Sequence, residues 1–290
     1  MLSLFRAITA ACVLTLGVGP VYATEIVFGV IATDSSTIQR TRWEPFFRDM
    51  ERKTGLKVRG FYAPDYAGVV EAMRFRKVDV AWLGNKAAIA AVDRAKGEVF
   101  AQMYYSDGSA AYYSLLITRV DSPLRTVEDV FARAGDLKLG IGDPSSTSGY
   151  LYPVRYLFDE NRVDYRTAFK AVNMAGHASN IQAVLARQVD VAITDSEDLQ
   201  KLKINQPARR AQVRELWRSP PIPSDPLVWR ADLPITLKAT IESFVIDYGK
   251  TDAAERAVLK NMYDYGGFKK SSNLQLMPIR ALERPRGSPP

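Results

Sequence analysis

The sequence predicts a two-lobed α/β protein, and three observations carry that reading. The chain has 290 residues, which at roughly 150 residues per domain corresponds to about two domains or lobes. Its early part reads as a βαβ unit: the apolar run Glu25 to Ile31, then Trp43, Phe46, Phe47 and Met50 at helical spacing, then a strand-like stretch from Leu56 to Tyr62. Finally, Val69 to Trp82 resembles Ile181 to Thr194, with Val78-Asp79-Val80-Ala81 recurring 111 residues later as Val189-Asp190-Val191-Ala192, each stretch an amphipathic helix feeding an apolar strand. Two copies of one helix–strand device so far apart imply two lobes of related design rather than one continuous sheet.

The elements follow in order. Residues 1–23 read as a secretory leader: Arg6 precedes an uncharged run from Ala7 to Val21, and Val21-Tyr22-Ala23 supplies a small-residue cleavage site, so the mature chain is expected to begin at Thr24. Gly17, Gly19 and Pro20 interrupt the run, which falls short of the roughly 20 apolar residues of a membrane span. Residues 24–112 form the first part of lobe 1. Tyr113 to Val120 reads as a strand that opens lobe 2, assigned to residues 113–229. The return to lobe 1, residues 230–290, carries helices over Leu237 to Tyr248 and Ala253 to Met262, with a Pro- and Gly-rich tail from Arg284 expected to be disordered.

Composition narrows the chemistry. Removing 23 of 290 residues leaves 267, and the one cysteine, Cys12, leaves with them; disulfides, thiol catalysis and zinc–thiolate sites go together. A single histidine, His177, excludes a multi-histidine metal centre, and no cofactor is expected. The net charge of +7, or +6 without Arg6, is spread along the chain rather than clustered as in a nucleic-acid footprint.

The richest segment runs from Leu139 to Tyr150. A short strand enters a tight loop, and Leu151, Val154, Leu157 and Phe158 then recur at helical period, so Ser146, Thr147, Ser148 and Gly149 stand at a helix N-terminus. Unpaired N–H groups, the helix dipole and three hydroxyls make such a place an anion address. A Ser/Thr-rich helix start is equally an ordinary capping sequence, and spacing alone does not choose between the two. Pro153 implies a kink or a later helix start. His177 lies just ahead of the second repeat helix, where a packed histidine and a ligand-binding one look alike. Glu197 follows the strand Val189 to Ile193, and Asp225 sits at the inter-lobe crossing; both stand where open α/β sheets bind ligands.

FYAPDYAGVVEAMRFRKVDVAW, GDPSSTSG, MAGH, SPPIPSDPLVWR and LQLMPIRAL, in this order and spacing, resemble the periplasmic phosphonate-binding proteins of the PhnD type, the substrate-binding components of ATP-binding-cassette importers. The resemblance spans essentially the whole mature chain. It implies the type II, venus-flytrap fold of periplasmic binding proteins, a periplasmic location, an importer permease as partner, and no enzymatic activity. Carried over by position, it implies that Ser146, Thr147, Ser148, His177, Tyr66 and Tyr112 hold phosphonate oxygens. Glu197 and Asp225 would take the amino group of a ligand such as 2-aminoethylphosphonate. Leu83 replaces an aromatic that relatives often carry, and the chain stops soon after Leu282, where some members continue into a self-associating helical extension; a monomer is therefore expected. Two rival readings remain open: a binder of another tetrahedral oxyanion (phosphite, methylphosphonate or a phosphate ester), and a hydrolase using a Ser148–His177 pair.

Overall fold

The structure is a computed structural model that describes residues 24–283. The leader with its cleavage site, Cys12 and the tail from Arg284 lie outside the described residues. No helix among the described residues is long and apolar enough to cross a membrane.

Lobe 1 begins with β1 (Glu25–Val30), α1 (Ser36–Thr54), β2 (Lys57–Tyr62), α2 (Tyr66–Arg74), β3 (Val80–Trp82), α3 (Asn85–Ala95) and β4 (Gly97–Tyr105). The α1 helix starts where the Ser35 hydroxyl accepts from the Ile38 N–H, and it ends at Gly55 as its sequence implies. Its buried stripe, Trp43, Phe46, Phe47 and Met50, packs with Phe28 and Trp82 into an aromatic core. β1 pairs in parallel with both β2 and β3, so loops at the C-terminal ends of these strands face the same way.

The chain crosses at β5 (Ala111–Tyr112) into β6 (Ser114–Arg119), α4 (Val127–Ala132) and β7 (Lys138–Ile141). It continues through α5 (Tyr165–Ala168), β8 (Ala171–Met174), α6 (His177–Leu185), β9 (Val191–Asp195), α7 (Ser196–Asn205), α8 (Pro207–Arg210), β10 (Val213–Arg218) and β11 (Ile222–Pro223). Lobe 2 is a five-stranded sheet of order β10-β6-β9-β7-β8. Leu139, Ile141, Val191 and Ile193 pack against one layer, and Ile117 and Ala192 against Ile181, Val184 and Leu199 of the other. The chain returns through β12 (Pro226–Arg230), α9 (Ile235–Asp247), α10 (Ala253–Tyr263), β13 (Tyr265–Lys270) and α11 (Met277–Glu283), completing the six-stranded order β13-β4-β12-β3-β1-β2.

One expected boundary needs correction. Residue 229 as the end of lobe 2 falls inside β12, which pairs with β3 and β4 in the lobe 1 sheet. The return crossing lies earlier, at β11, whose Ile222 and Pro223 pair antiparallel with Tyr112 and Ala111 of β5. This two-stranded ribbon carries both crossings between the lobes. The irregularity expected at Pro153 takes the form of wide turns. Leu151 and Tyr152 donate their N–H groups to Ser146 and Thr147 five residues back, and Asp159 does the same to Val154. Wide turns on both sides of the proline thus replace the plain helix that the apolar spacing suggested, because its ring lacks an N–H and crowds the preceding turn.

The repeat is real in three dimensions. Asp79 N–H donates to the Val27 carbonyl and Asp190 N–H to that of Lys138, while the Asp79 and Asp190 carboxylates accept from Val27 and Lys138 N–H groups. Arg76 and Arg187 take left-handed backbone angles at φ 58° and 59° in the same turn of each copy.

Candidate functional site

The C-terminal ends of the parallel strands of both lobes face one another across a buried cavity of about 10 Å³, lined from lobe 1 by Thr33, Tyr66, Trp82, Gly84 and Tyr263. Lobe 2 contributes Ser146, Thr147, Ser148, His177, Asp195, Glu197 and Asp198, and the crossing contributes Tyr112 and Asp225. A space of that size is about that of one water, so this is a closed conformation and any larger ligand requires the lobes to part.

At one end lies the hydroxyl loop. Gly142 donates its N–H to the Gly149 carbonyl at 2.9 Å, and a Cβ on Gly142 would stand 2.6 Å from the Gly149 Cα; only glycine permits this approach. The fold over Gly149 brings Ser146, Thr147 and Ser148 to the cavity at 3%, 1% and 2% exposure. Ser146 Oγ accepts from the Gly149 N–H at 3.0 Å and so caps its turn, and Thr147 Oγ1 accepts from the Lys86 N–H of the opposite lobe at 2.9 Å. Capping and a place on the cavity wall coincide in these residues. α3 and α6 also aim their N-termini here, and both begin at glycines, Gly84 and Gly176, that provide no side-chain cap. At α3 the Thr147 hydroxyl takes the Lys86 N–H from across the cavity, whereas the first N–H groups of α6 lack the side-chain acceptor that most helices supply, which suits an anion.

His177 is buried, and burial pushes its pKa down, so the ring is neutral. Its Nε2 lies 3.3 Å from Ser148 Oγ and 3.3 Å from Asp195 Oδ2, while Nδ1 has no partner. A catalytic Ser–His–Asp relay needs serine and aspartate on opposite ring nitrogens. Here both meet the same one.

The other end is acidic. Asp195, Glu197, Asp198 and Asp225 all border the cavity. Burial pushes Asp195 and Asp198 up to about 7 and Asp225 up to about 8. Burial and then the neighbouring Asp195 and Asp225 hold Glu197 well above its ordinary range. The buried Arg42, whose charge draws Asp195 and Asp198 down, is itself hydrogen-bonded to Asp34 and to the Tyr263 hydroxyl. Asp225 accepts from Tyr112 at 3.0 Å beside the crossing ribbon, and Glu197 accepts from Tyr105 at 2.7 Å. No group of three or more metal-ligating residues is placed to hold a metal among the described residues.

All eight residues singled out from the sequence line this one cavity. Sequence reasoning missed Thr33, Asp195, Asp198, Tyr105, Tyr263 and Tyr265. Asp195 and Asp198 carried a usable signal, an N-cap and N3 pair directly after an apolar strand. The tyrosines read only as a strand end and a helix end. Beyond Glu197 and Tyr263, which also line it, a groove of about 540 Å³ opens to solvent between the lobes.

The chain matches the family model for the ABC transporter phosphonate periplasmic substrate-binding protein over residues 28–276. It belongs to that family. It is 48% identical over 255 residues to the phosphonates-binding periplasmic protein of Escherichia coli strain K12, covering 88% of this chain and 75% of that one. The crystal structure of a binding protein component of an ABC phosphonate transporter from Pseudomonas aeruginosa superposes with a TM-score of 0.87 at 46% identity, covering 90% of this chain and 86% of that one. A phosphate-import protein of Mycolicibacterium smegmatis is 29% identical over 204 residues, 67% of this chain and 62% of its own. The two-lobed α/β architecture is thus that of a periplasmic phosphonate-binding protein, the substrate-binding component of an ABC transporter.

Proposed function

We propose that this protein captures 2-aminoethylphosphonate in the periplasm by closing its lobes on it, as a monomer, and presents the closed form to the permease of an ABC importer. The leader over residues 1–23, cleaved after Ala23, would deliver it there. The observation that carries the ligand assignment is the pairing of opposite ends in one buried cavity. Three hydroxyls and the uncapped N-terminus of α6 face four carboxylates that have no buried cation bonded to them. Buried carboxylates without a positive partner are costly. A ligand with a phosphonate at one end and an ammonium at the other satisfies both ends at once. In this reading Ser146, Thr147, Ser148, His177, Tyr66 and Tyr112 hold the phosphonate, and Glu197 and Asp225 hold the amine.

The protein binds and releases rather than turns over its ligand, since Ser148 and Asp195 compete for the one His177 nitrogen and leave no relay. One observation favours a second ligand. An aspartic acid pushed up to about 8, such as Asp225, is largely protonated at neutral pH and can hydrogen-bond a phosphate or phosphite hydroxyl. The phosphate-import relative is consistent with that chemistry.

Isothermal titration of ligand-stripped protein with 2-aminoethylphosphonate, methylphosphonate, phosphite and phosphate in parallel decides between them. Tightest binding of the aminoalkyl compound supports the proposal. Preference for phosphate or phosphite keeps the hydroxyl loop and removes the amine assignment.

A further inference from the structure

The acidic end of the cavity is assembled from both lobes. Glu197 stands in the first turn of α7 in lobe 2. Tyr105 and Tyr265 are register partners on β4 and β13 in lobe 1, with ring centroids 5.6 Å apart. Both phenols reach across the lobe boundary to the same atom, Glu197 Oε1, at 2.7 and 3.2 Å, and Oε2 accepts from neither. Glu197 and Tyr105 also form part of the partition between the cavity and the outer groove, since Glu197 lines both and Tyr105 lines the groove.

We infer that Tyr105 and Tyr265 are specificity-determining residues that make lobe closure depend on a positive charge at the tail of the ligand. The inference rests on the aminoalkylphosphonate reading of the site. A hydroxyl donates roughly twice as strongly to an ionised carboxylate as to a neutral one. Glu197 shares its buried surroundings with Asp195, Asp198 and Asp225, and ionising it there needs an adjacent cation. A ligand ammonium against Oε2 supplies it, ionises Glu197, and strengthens both cross-lobe bonds to Oε1. Methylphosphonate and inorganic phosphate fill the hydroxyl loop but bring no cation, so the same tyrosines then hold a neutral acid and closure gains less. The hydroxyl loop by itself accepts any small tetrahedral oxyanion; the tyrosine pair converts the charge of the tail into a preference among them.

The test is calorimetry of the whole ligand-stripped protein and its Y105F/Y265F variant with 2-aminoethylphosphonate and methylphosphonate. The variant is expected to lose at least tenfold in affinity for the aminoalkyl ligand and less than twofold for methylphosphonate, whose retained binding also shows that the fold is intact. Should the double variant bind neither ligand, Y105F alone serves, with at least a threefold loss confined to 2-aminoethylphosphonate. Equal losses for both ligands, or an unchanged affinity for the aminoalkyl one, overturn the inference while leaving the substrate reading in place. A wild-type protein that does not prefer 2-aminoethylphosphonate to methylphosphonate overturns the substrate reading itself, and this inference with it.

Discussion

Tyr66 and His177 occupy equivalent positions in the two copies of the helix–strand repeat: each is the first residue of its helix, α2 or α6, and each lines the cavity from its own lobe. One internal repeat thus places two hydrogen-bonding rings on opposite walls of one site. Removing the phenol with Tyr66→Phe should weaken every phosphonate alike by about 1.5–3 kcal/mol, the range for a hydrogen bond to a charged group. Titration with 2-aminoethylphosphonate and methylphosphonate checks this, and a loss confined to one of them would place Tyr66 at the wrong end.

Ser146→Ala with Thr147→Ala should be more costly. The pair removes two hydroxyls from the loop, and Thr147 also loses its bond from the Lys86 N–H across the lobes. A loss of about 3–6 kcal/mol is expected for any phosphonate, from two charge-assisted bonds. Unchanged affinity would sink the anion site.

Gly176 abuts the opposite lobe, where an added Cβ would stand 2.8 Å from the Thr33 carbonyl oxygen. Gly176→Ala should therefore obstruct closure without disturbing either lobe. The expected result is an unchanged melting temperature for the ligand-free protein, at least tenfold weaker binding of all ligands, and a scattering profile that stays open at saturating ligand. Normal closure in the variant would show that the two lobes meet elsewhere.

The raised acids fix a pH dependence and its sign. Asp195 and Asp198 at about 7 and Asp225 at about 8 hold protons in the closed form that the hydrated, open form releases above about pH 4. The ligand-free closed form therefore loses stability as pH rises from about 4 toward about 8. A bound ammonium lets the acids close ionised, so binding of 2-aminoethylphosphonate releases protons relative to binding of methylphosphonate in that window. Affinity for 2-aminoethylphosphonate relative to methylphosphonate should climb between about pH 6 and 8 and then level off. Calorimetry in two buffers of different ionisation enthalpy measures the protons directly; a flat ratio with no proton release would contradict it.

Asp225→Asn tests the crossing end of the site. Asparagine keeps an oxygen acceptor for the Tyr112 hydroxyl beside the crossing ribbon, so closure should persist while the aminoalkyl ligand loses at least tenfold in affinity and methylphosphonate changes little. Scattering and titration together separate those effects, and equal weakening of both ligands would make Asp225 a residue of the crossing only.

Much of this was legible in one dimension because it is local. The repeat offset placed Val69 to Trp82 and Ile181 to Thr194 as like units, the first three strands and the long helices follow from apolar spacing, and the hydroxyl loop follows from a strand running into Ser146 to Gly149. Pro153 sits in a good helical pattern, where it announces an irregularity but not its form: its missing N–H is absorbed by wide turns that periodicity does not encode. What misled was β12, which reads as the end of lobe 2 because nothing in its sequence tells which sheet supplies its partners.

By itself the sequence determined the two-lobe plan and the hydroxyl loop, since strand ends and helix starts are properties of short segments, and its resemblance to the phosphonate-binding family pointed to eight of the residues that line the cavity. Only the tertiary structure decided that Ser148 and Asp195 share one nitrogen of His177, that four carboxylates gather without a bonded cation, and that Tyr105 and Tyr265 reach Glu197 across the lobes. Those relations join residues from about 18 to 92 positions apart, and the bonds of Tyr105 and Tyr265 to Glu197 exist only where the two lobes meet. Their energies come from burial and mutual charge, which depend on what the rest of the chain brings alongside.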